Sequence, residues 1–244
     1  MSYFNSAEKP IQLPYSTSSA WRNIPTAHPS KNLYYPGQLT EYEATIAQYY
    51  GDLDSIDRKQ PQHYRWHQYG DNENYLEHVF QKIENPKSRF TDGSFPVWYA
   101  ANSAEVSIRE VAYHLQKQAQ LDLSLCTKES SIRFERAMCR AKLSFNNSVD
   151  IRNLTNSHPE LFSKTKYTSS IKFAKELRAE NADGIITRSV RAEGDCYAVF
   201  TPRVILESKN VNFVAITIYN DLTRDIDVSK DINWFTIPKN KIVQ

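Results

Sequence analysis

The amino-acid pattern predicts an α+β protein. Residues 133–145 alternate between apolar and charged side chains, as in a half-buried strand. Residues 104–119 instead place apolar side chains at helical intervals. Strand-type segments outnumber helical ones, without the regular alternation of a βαβ protein, so a compact mixed sheet with few helices is expected. At 244 residues the chain is long enough to bury a substantial core.

The N-terminal quarter is polar and rich in proline, serine and asparagine. Residues 1–38 are typical of an extended arm outside the core. Thr40 and Glu43 have capping-box spacing, which predicts a short helix that ends near Gly51. A polar linker follows, so the expected division is an N-terminal extension over residues 1–60, arm plus short helix, and a main domain over residues 61–244.

The best-defined sequence pattern lies over residues 89–119. Residues 95–101 are apolar and aromatic, which predicts a strand after the turn at residues 92–93. Asn102, with Glu105 three residues later, is expected to cap the helix that follows.

Beyond the strand at 133–145, residues 156–166 are predicted to form a loop with a short helix. Ser169 or Ser170 is expected to cap a second main helix that ends at residues 181–184. Further strands are predicted at 185–187, 196–200, 204–206 and 211–219, and an edge strand with a tail is predicted over 231–244.

Composition excludes several classes of function. Six glycines form neither a dinucleotide-binding GxGxxG nor a GxxxxGK[ST] phosphate loop. A formal net charge of +2, with scattered basic residues, argues against direct nucleic-acid binding. Three cysteines without a CxxC pair predict neither a disulfide framework nor a zinc site. The N-terminus is unlike a secretory signal and no apolar stretch is long enough for a membrane span, so we expect a cytoplasmic protein.

Metal and serine-nucleophile sites are weakly supported. His63 and His67 have a helical ligand spacing, but only His78 is available nearby as a third ligand. No GxSxG nucleophile elbow occurs. We therefore expect no metal site.

Glu110 allows two interpretations. Helical geometry places it opposite the stripe formed by Ile108, Val111 and Leu115, which is typical of a solvated glutamate. Tyr113 shares its side of the helix, so this face also fits the wall of a cleft.

An ordered set of short motifs resembles the RES-domain family, which is named for arginine, glutamate and serine residues. The matching blocks are Tyr64-Arg65, Arg89-Phe90, WYAANSAE (98–105) leading to Glu110, ADGII (182–186), and Ser189-Val190-Arg191 with Gly194. The order and spacing agree over about residues 60–210. Cys196 stands where the family pattern has asparagine, and the first 60 residues exceed a minimal RES domain.

The resemblance implies a fold similar to ADP-ribosyltransferase toxins and an activity that cleaves the nicotinamide–ribose bond of NAD. NAD would be the substrate, with no separate cofactor. The implied catalytic residues are Glu110, Arg65 and Ser189. The implied NAD-binding residues are Arg89, Tyr99, Tyr64 and Arg191.

The resemblance also implies a toxin held inactive by an antitoxin, a helix-turn-helix protein in the usual pairs. The acceptor would be water or inorganic phosphate. Two alternatives remain open at this point: a mono-ADP-ribosyltransferase acting on a protein, and a non-catalytic binding module with the same fold. Delivery of the protein into another cell as an effector is also left open, because no signal in the sequence decides it.

Overall fold

A computed structural model describes residues 10–13, 16–25, 79–80, 86–123, 130–221, 224–229 and 233–237. Within them, ten strands form one sheet in the order β1-β5-β6-β7-β3-β2-β4-β8-β9-β10. The strands are β1 (Ile11–Leu13), β2 (Ser16–Pro25), β3 (Trp98–Ala101), β4 (Ser131–Phe145), β5 (Ser148–Asp150), β6 (Gly184–Arg188), β7 (Asp195–Val199), β8 (Ile205–Tyr219), β9 (Ile226–Ser229) and β10 (Asn233–Ile237). The helices are α1 (Ala104–Leu123) and α2 (Thr168–Ala179).

The sheet is mixed, since β5 and β6 run parallel and the other paired strands run antiparallel. The α+β prediction is therefore confirmed. The segments predicted at 204–206 and 211–219 are one long strand, β8, and β9 was not predicted. The predicted C-terminal edge strand is present as β10.

The prediction of an N-terminal arm outside the core is wrong for residues 16–25. Strand β2 lies between β3 and β4 in the middle of the sheet, and Ala20 is fully buried. A guanidinium N–H of Arg22 donates to the backbone oxygen of Tyr99 at 3.0 Å. The serine-rich sequence misled the prediction because cross-strand pairing with β4, rather than β propensity, keeps this segment extended. The predicted helix at 40–49 and the boundary near residue 60 lie outside the described residues.

Both helices pack on the same face of the sheet. Trp21 packs against the core under α1 and is paired directly with Ala101. Tyr99, two residues earlier on that strand and therefore on the same face, packs into the core under α2. A third core, including Trp98, Leu143 and Phe145, covers the opposite face. This arrangement brings α1 close to the chain that enters α2.

Candidate active site

The start of α1 is fixed to the start of β7 by Asn102. The Asn102 backbone N–H donates to the Asp195 carbonyl at 2.9 Å, and its side-chain oxygen accepts the Asp195 N–H at 3.1 Å. The prediction that Asn102 caps the helix is wrong, because its side chain is used in this contact. Ser103 is the cap, accepting the Val106 N–H at 3.2 Å. Glu105 pairs with Arg109 one turn later.

Glu110 lies six residues into α1 and faces the loop between β6 and β7. Its Oε1 accepts the Ser189 hydroxyl at 2.5 Å, and its Oε2 accepts Nη1 of Arg191 at 2.9 Å. The Glu110 side chain is 24% exposed and that of Arg191 only 5%. Glu110 is therefore a partly buried, paired carboxylate and not the solvated glutamate that helical periodicity favoured.

Arg191 lies over the ring of Tyr113, which is one helical turn after Glu110, and its guanidinium carbon is 3.8 Å from the ring centroid. Its Nη2 donates to the Lys164 carbonyl at 3.3 Å. Burial opposes the charge of Arg191, but Glu110 and the Tyr167 hydroxyl outweigh it and raise the pKa of Arg191. Arg191 thus stays charged across the ordinary pH range.

Arg89 approaches the same place from the turn before β3. Its Nη1 donates to the Ser163 carbonyl at 2.8 Å, and its guanidinium lies 5.2 Å from the Tyr167 ring centroid. Burial lowers the pKa of Arg89, while the nearby charge of Glu110 opposes that effect. Nη2 of Arg89 and Nε of Arg191 are buried without a hydrogen-bond partner among the described residues.

Tyr99 holds the turn that carries Arg89. Its hydroxyl accepts the Phe90 N–H at 3.1 Å and lies 2.8 Å from the Ser88 hydroxyl. Burial raises the pKa of Tyr99 to about 12, so the phenol stays protonated and can serve both partners. Its visible contacts therefore position Arg89.

A salt-bridge network supports the base of the loop between β6 and β7. Arg152 donates to both Asp150 oxygens at 2.6–3.1 Å and to Asp195 at 2.6 Å. Arg188 donates to the other Asp195 oxygen at 2.8 Å. Gly194 has a φ of +149°, and a Cβ there would lie 2.8 Å from the Asn102 side-chain oxygen. The loop carrying Ser189 and Arg191 is thus fixed at its base.

Cys196, where the family pattern has asparagine, is on β7 opposite Ala101 and Thr187. Burial and then the Glu110 carboxylate raise the pKa of its thiol, and the nearby Ser189 hydroxyl opposes them. Cys196 is therefore a neutral neighbour of the site at ordinary pH.

The structure brings Glu110, Ser189, Arg191 and Arg89 together, with Tyr99 beside them. Tyr64 and Arg65 lie outside the described residues. Two aromatic residues of the site, Tyr113 and Tyr167, had no predicted role. Tyr113 was predicted to share the Glu110 side of the helix, and its spacing of three residues from Glu110 could have identified it as part of the site. Tyr167 carries no such local signal.

A depression of about 620 Å³ lies elsewhere, beside the end of α2. Among its charged lining side chains, Lys175 pairs with Asp92, Arg203 pairs with Asp183, and Arg178 lies over the Phe95 ring. Among the described residues there is no cluster of three potential metal ligands; His63, His67 and His78 are outside them. No helix in the described segments has the length and apolar character to cross a bilayer.

A comparison with protein-family models matches residues 62–218 to the RES domain, which is more than half of the chain. The chain belongs to the RES domain family. The resemblance inferred from the sequence motifs is thereby confirmed. The family match starts after β2, so the central sheet of this RES protein includes a strand from outside the matched region.

A comparison with solved structures aligns the RES protein with a chain of the M. tuberculosis MbcT-MbcA toxin-antitoxin complex. The alignment has 10% sequence identity and a TM-score of 0.40, and it covers 83% of this chain and 86% of that chain. A likeness at this level supports no inference about activity. A search of curated proteins found no match.

Proposed function

We propose that this RES protein is a toxin that cleaves the nicotinamide–ribose bond of NAD. The observation that carries the proposal is a fixed carboxylate, Glu110, close to Arg89, whose buried Nη2 has no hydrogen-bond partner among the described residues. A buried donor without a partner costs about 1–3 kcal/mol, so an acceptor on a ligand is expected here. NAD supplies both a reacting ribose and an anionic pyrophosphate.

Glu110 has the chemistry that the reaction needs. Cleavage of the glycosidic bond passes through an oxocarbenium-like state, which a carboxylate beside the ribose stabilises. Each Glu110 oxygen receives one protein hydrogen bond, which leaves accepting capacity for a ribose hydroxyl. Nicotinamide is already cationic in NAD and leaves as a neutral molecule, so no strong general acid is required.

Arg89 is proposed to bind the pyrophosphate through its unpaired Nη2, because a guanidinium matches phosphate oxygens in charge and geometry. Arg65 and Tyr64 are proposed to complete the NAD site, and Tyr99 to wall the nicotinamide. We propose as well that the fold is similar to that of ADP-ribosyltransferase toxins. We also propose that the protein is cytoplasmic and that a helix-turn-helix antitoxin covers the cleft.

The test is to incubate the purified, antitoxin-free protein with NAD, with and without inorganic phosphate, and to resolve the products chromatographically. Nicotinamide with ADP-ribose identifies a glycohydrolase; nicotinamide with phosphorylated ADP-ribose identifies a phosphorylase. Glu110→Gln should lower the rate by about 100-fold or more, since it removes the charge that stabilises the transition state. Glu105→Gln is the matched control on the same helix, because Glu105 is 58% exposed and pairs with Arg109 one turn away.

Absence of nicotinamide release from folded wild-type protein would reject NAD cleavage. Transfer of label from NAD to an added protein extract would then indicate the mono-ADP-ribosyltransferase. NAD binding without turnover would indicate the non-catalytic module.

A further inference from the structure

Ser189 has no hydrogen-bonding capacity left for a substrate. Its hydroxyl oxygen accepts the backbone N–H groups of Arg191 at 3.2 Å and Ala192 at 3.1 Å. A serine oxygen has two lone pairs and one proton, so the proton is directed to Glu110 at 2.5 Å. Ser189 therefore supports the Glu110 carboxylate and does not bind the ribose.

Arg191 is engaged in a similar way. Both Nη atoms donate to protein acceptors, one to Glu110 and one to the Lys164 carbonyl. Its guanidinium carbon lies over the Tyr113 ring at 3.8 Å from the centroid, and its side chain is only 5% exposed. Only Nε lacks a partner among the described residues.

We propose that Arg191 is a positioning residue that, together with Ser189, orients the Glu110 carboxylate before substrate binds. Each residue holds a different Glu110 oxygen, so the pair fixes both the location and the rotation of the carboxylate plane. Without them the flexible glutamate side chain would sample several rotamers, and preorganisation of charge at the reacting ribose would be lost. The proposal rests on the proposed NAD cleavage, and it gives Arg191 a role other than direct NAD binding.

The kinetic test compares Arg191→Gln and Arg191→Lys with Arg133→Gln, which removes the same charge from an exposed position on β4. Arg191→Gln should lower kcat about 10- to 100-fold, as expected for a misplaced catalytic group. The KM for NAD should change by less than about threefold, because a pure ligand would raise KM instead. Arg191→Lys, which keeps a donor for Glu110, should recover part of the lost kcat, and Arg133→Gln should match wild type.

A second test measures NAD affinity in a Glu110→Ala background. Adding Arg191→Gln there should leave the dissociation constant unchanged, because the group that Arg191 positions is already absent. A rise in KM with kcat preserved, or a loss of affinity in this background, would show that Arg191 is an NAD ligand and would overturn the proposal.

A third measurement needs no substrate and so separates this proposal from the proposed function. In ¹⁵N-labelled protein, the guanidinium N–H signals of Arg191, assigned by their loss in Arg191→Gln, should show restricted rotation that Glu110→Gln relieves. Free rotation of the Arg191 guanidinium in wild type would refute the positioning role of Arg191 even if NAD is cleaved. Restricted rotation without NAD cleavage would support the positioning role and reject the proposed reaction.

Discussion

The loop between β6 and β7 has an arginine cluster at its base and another at its tip, and the two clusters differ in how fully their donors are used. At the base, Nε, Nη1 and Nη2 of Arg152 all reach carboxylate oxygens of Asp150 or Asp195. At the tip, the adjacent Arg89 keeps a buried Nη2 without an acceptor in the described structure, whereas both Nη atoms of Arg191 have protein acceptors. A cluster whose donors all have acceptors stabilises the loop conformation, whereas a cluster with an unpaired donor can still bind a ligand.

The largest expected effect on stability is at the base. Arg152→Ala should lower the unfolding free energy by about 2–3 kcal/mol, because it leaves two mostly buried carboxylates short of partners. This is below the value for a fully buried pair since Arg152 is 35% exposed. Urea denaturation measures it. Arg133→Ala, in an exposed pair, should cost less than about 1 kcal/mol. Equal costs for the two variants would mean that the base cluster does not stabilise the loop.

At the tip, we expect a small effect on stability and a large effect on NAD binding. Arg89→Gln should change the unfolding free energy by less than about 1 kcal/mol, because it also removes an unpaired buried donor. It should weaken NAD binding about 10- to 100-fold, which corresponds to about 1.4–2.7 kcal/mol. Calorimetry in the Glu110→Gln background avoids turnover. The control is Lys175→Gln, a charge loss beside the remote depression. Unchanged NAD affinity in Arg89→Gln would remove Arg89 from the binding site.

Gly194 links the two clusters, and its replacement tests that link. Gly194→Ala should destabilise the fold by about 1–2 kcal/mol, because φ of +149° disfavours a side chain and its Cβ would lie 2.6 Å from Val106. NAD turnover should fall as well, since the loop would shift away from Glu110. Thermal unfolding and kinetics report the two effects, with Ala192→Gly as the control in the same loop. Loss of stability with full turnover would show that the tip is positioned independently.

The smallest expected effect is at Tyr99, which holds the Arg89 turn. Tyr99→Phe should cost about 1 kcal/mol near neutral pH through the lost hydrogen bonds. The pKa of Tyr99 is raised from 10.0 to about 12, so its contribution is fully present below pH 10 and lost as the pH rises through 12. The stability difference between wild type and Tyr99→Phe should therefore shrink over that range. A difference that grows with pH would contradict this sign.

The sequence by itself determined the α+β class, the strand and helix around residues 95–119, and the family, through motifs in a fixed order. It also selected the residues that meet at the site: Glu110, Ser189, Arg191 and Arg89. These features are local or ordered along the chain, so periodicity and short motifs report them.

Tertiary structure alone decided what those residues contact. Glu110 and Arg191 are 81 positions apart in sequence, and Arg191 pairs with Glu110 instead of the nearer Glu193 or Asp195. Strand β2 entered the centre of the sheet although its serines predicted an arm, because pairing with β4 overrides local propensity. Such contacts depend on how distant segments pack, and neither composition nor local spacing encodes that packing directly.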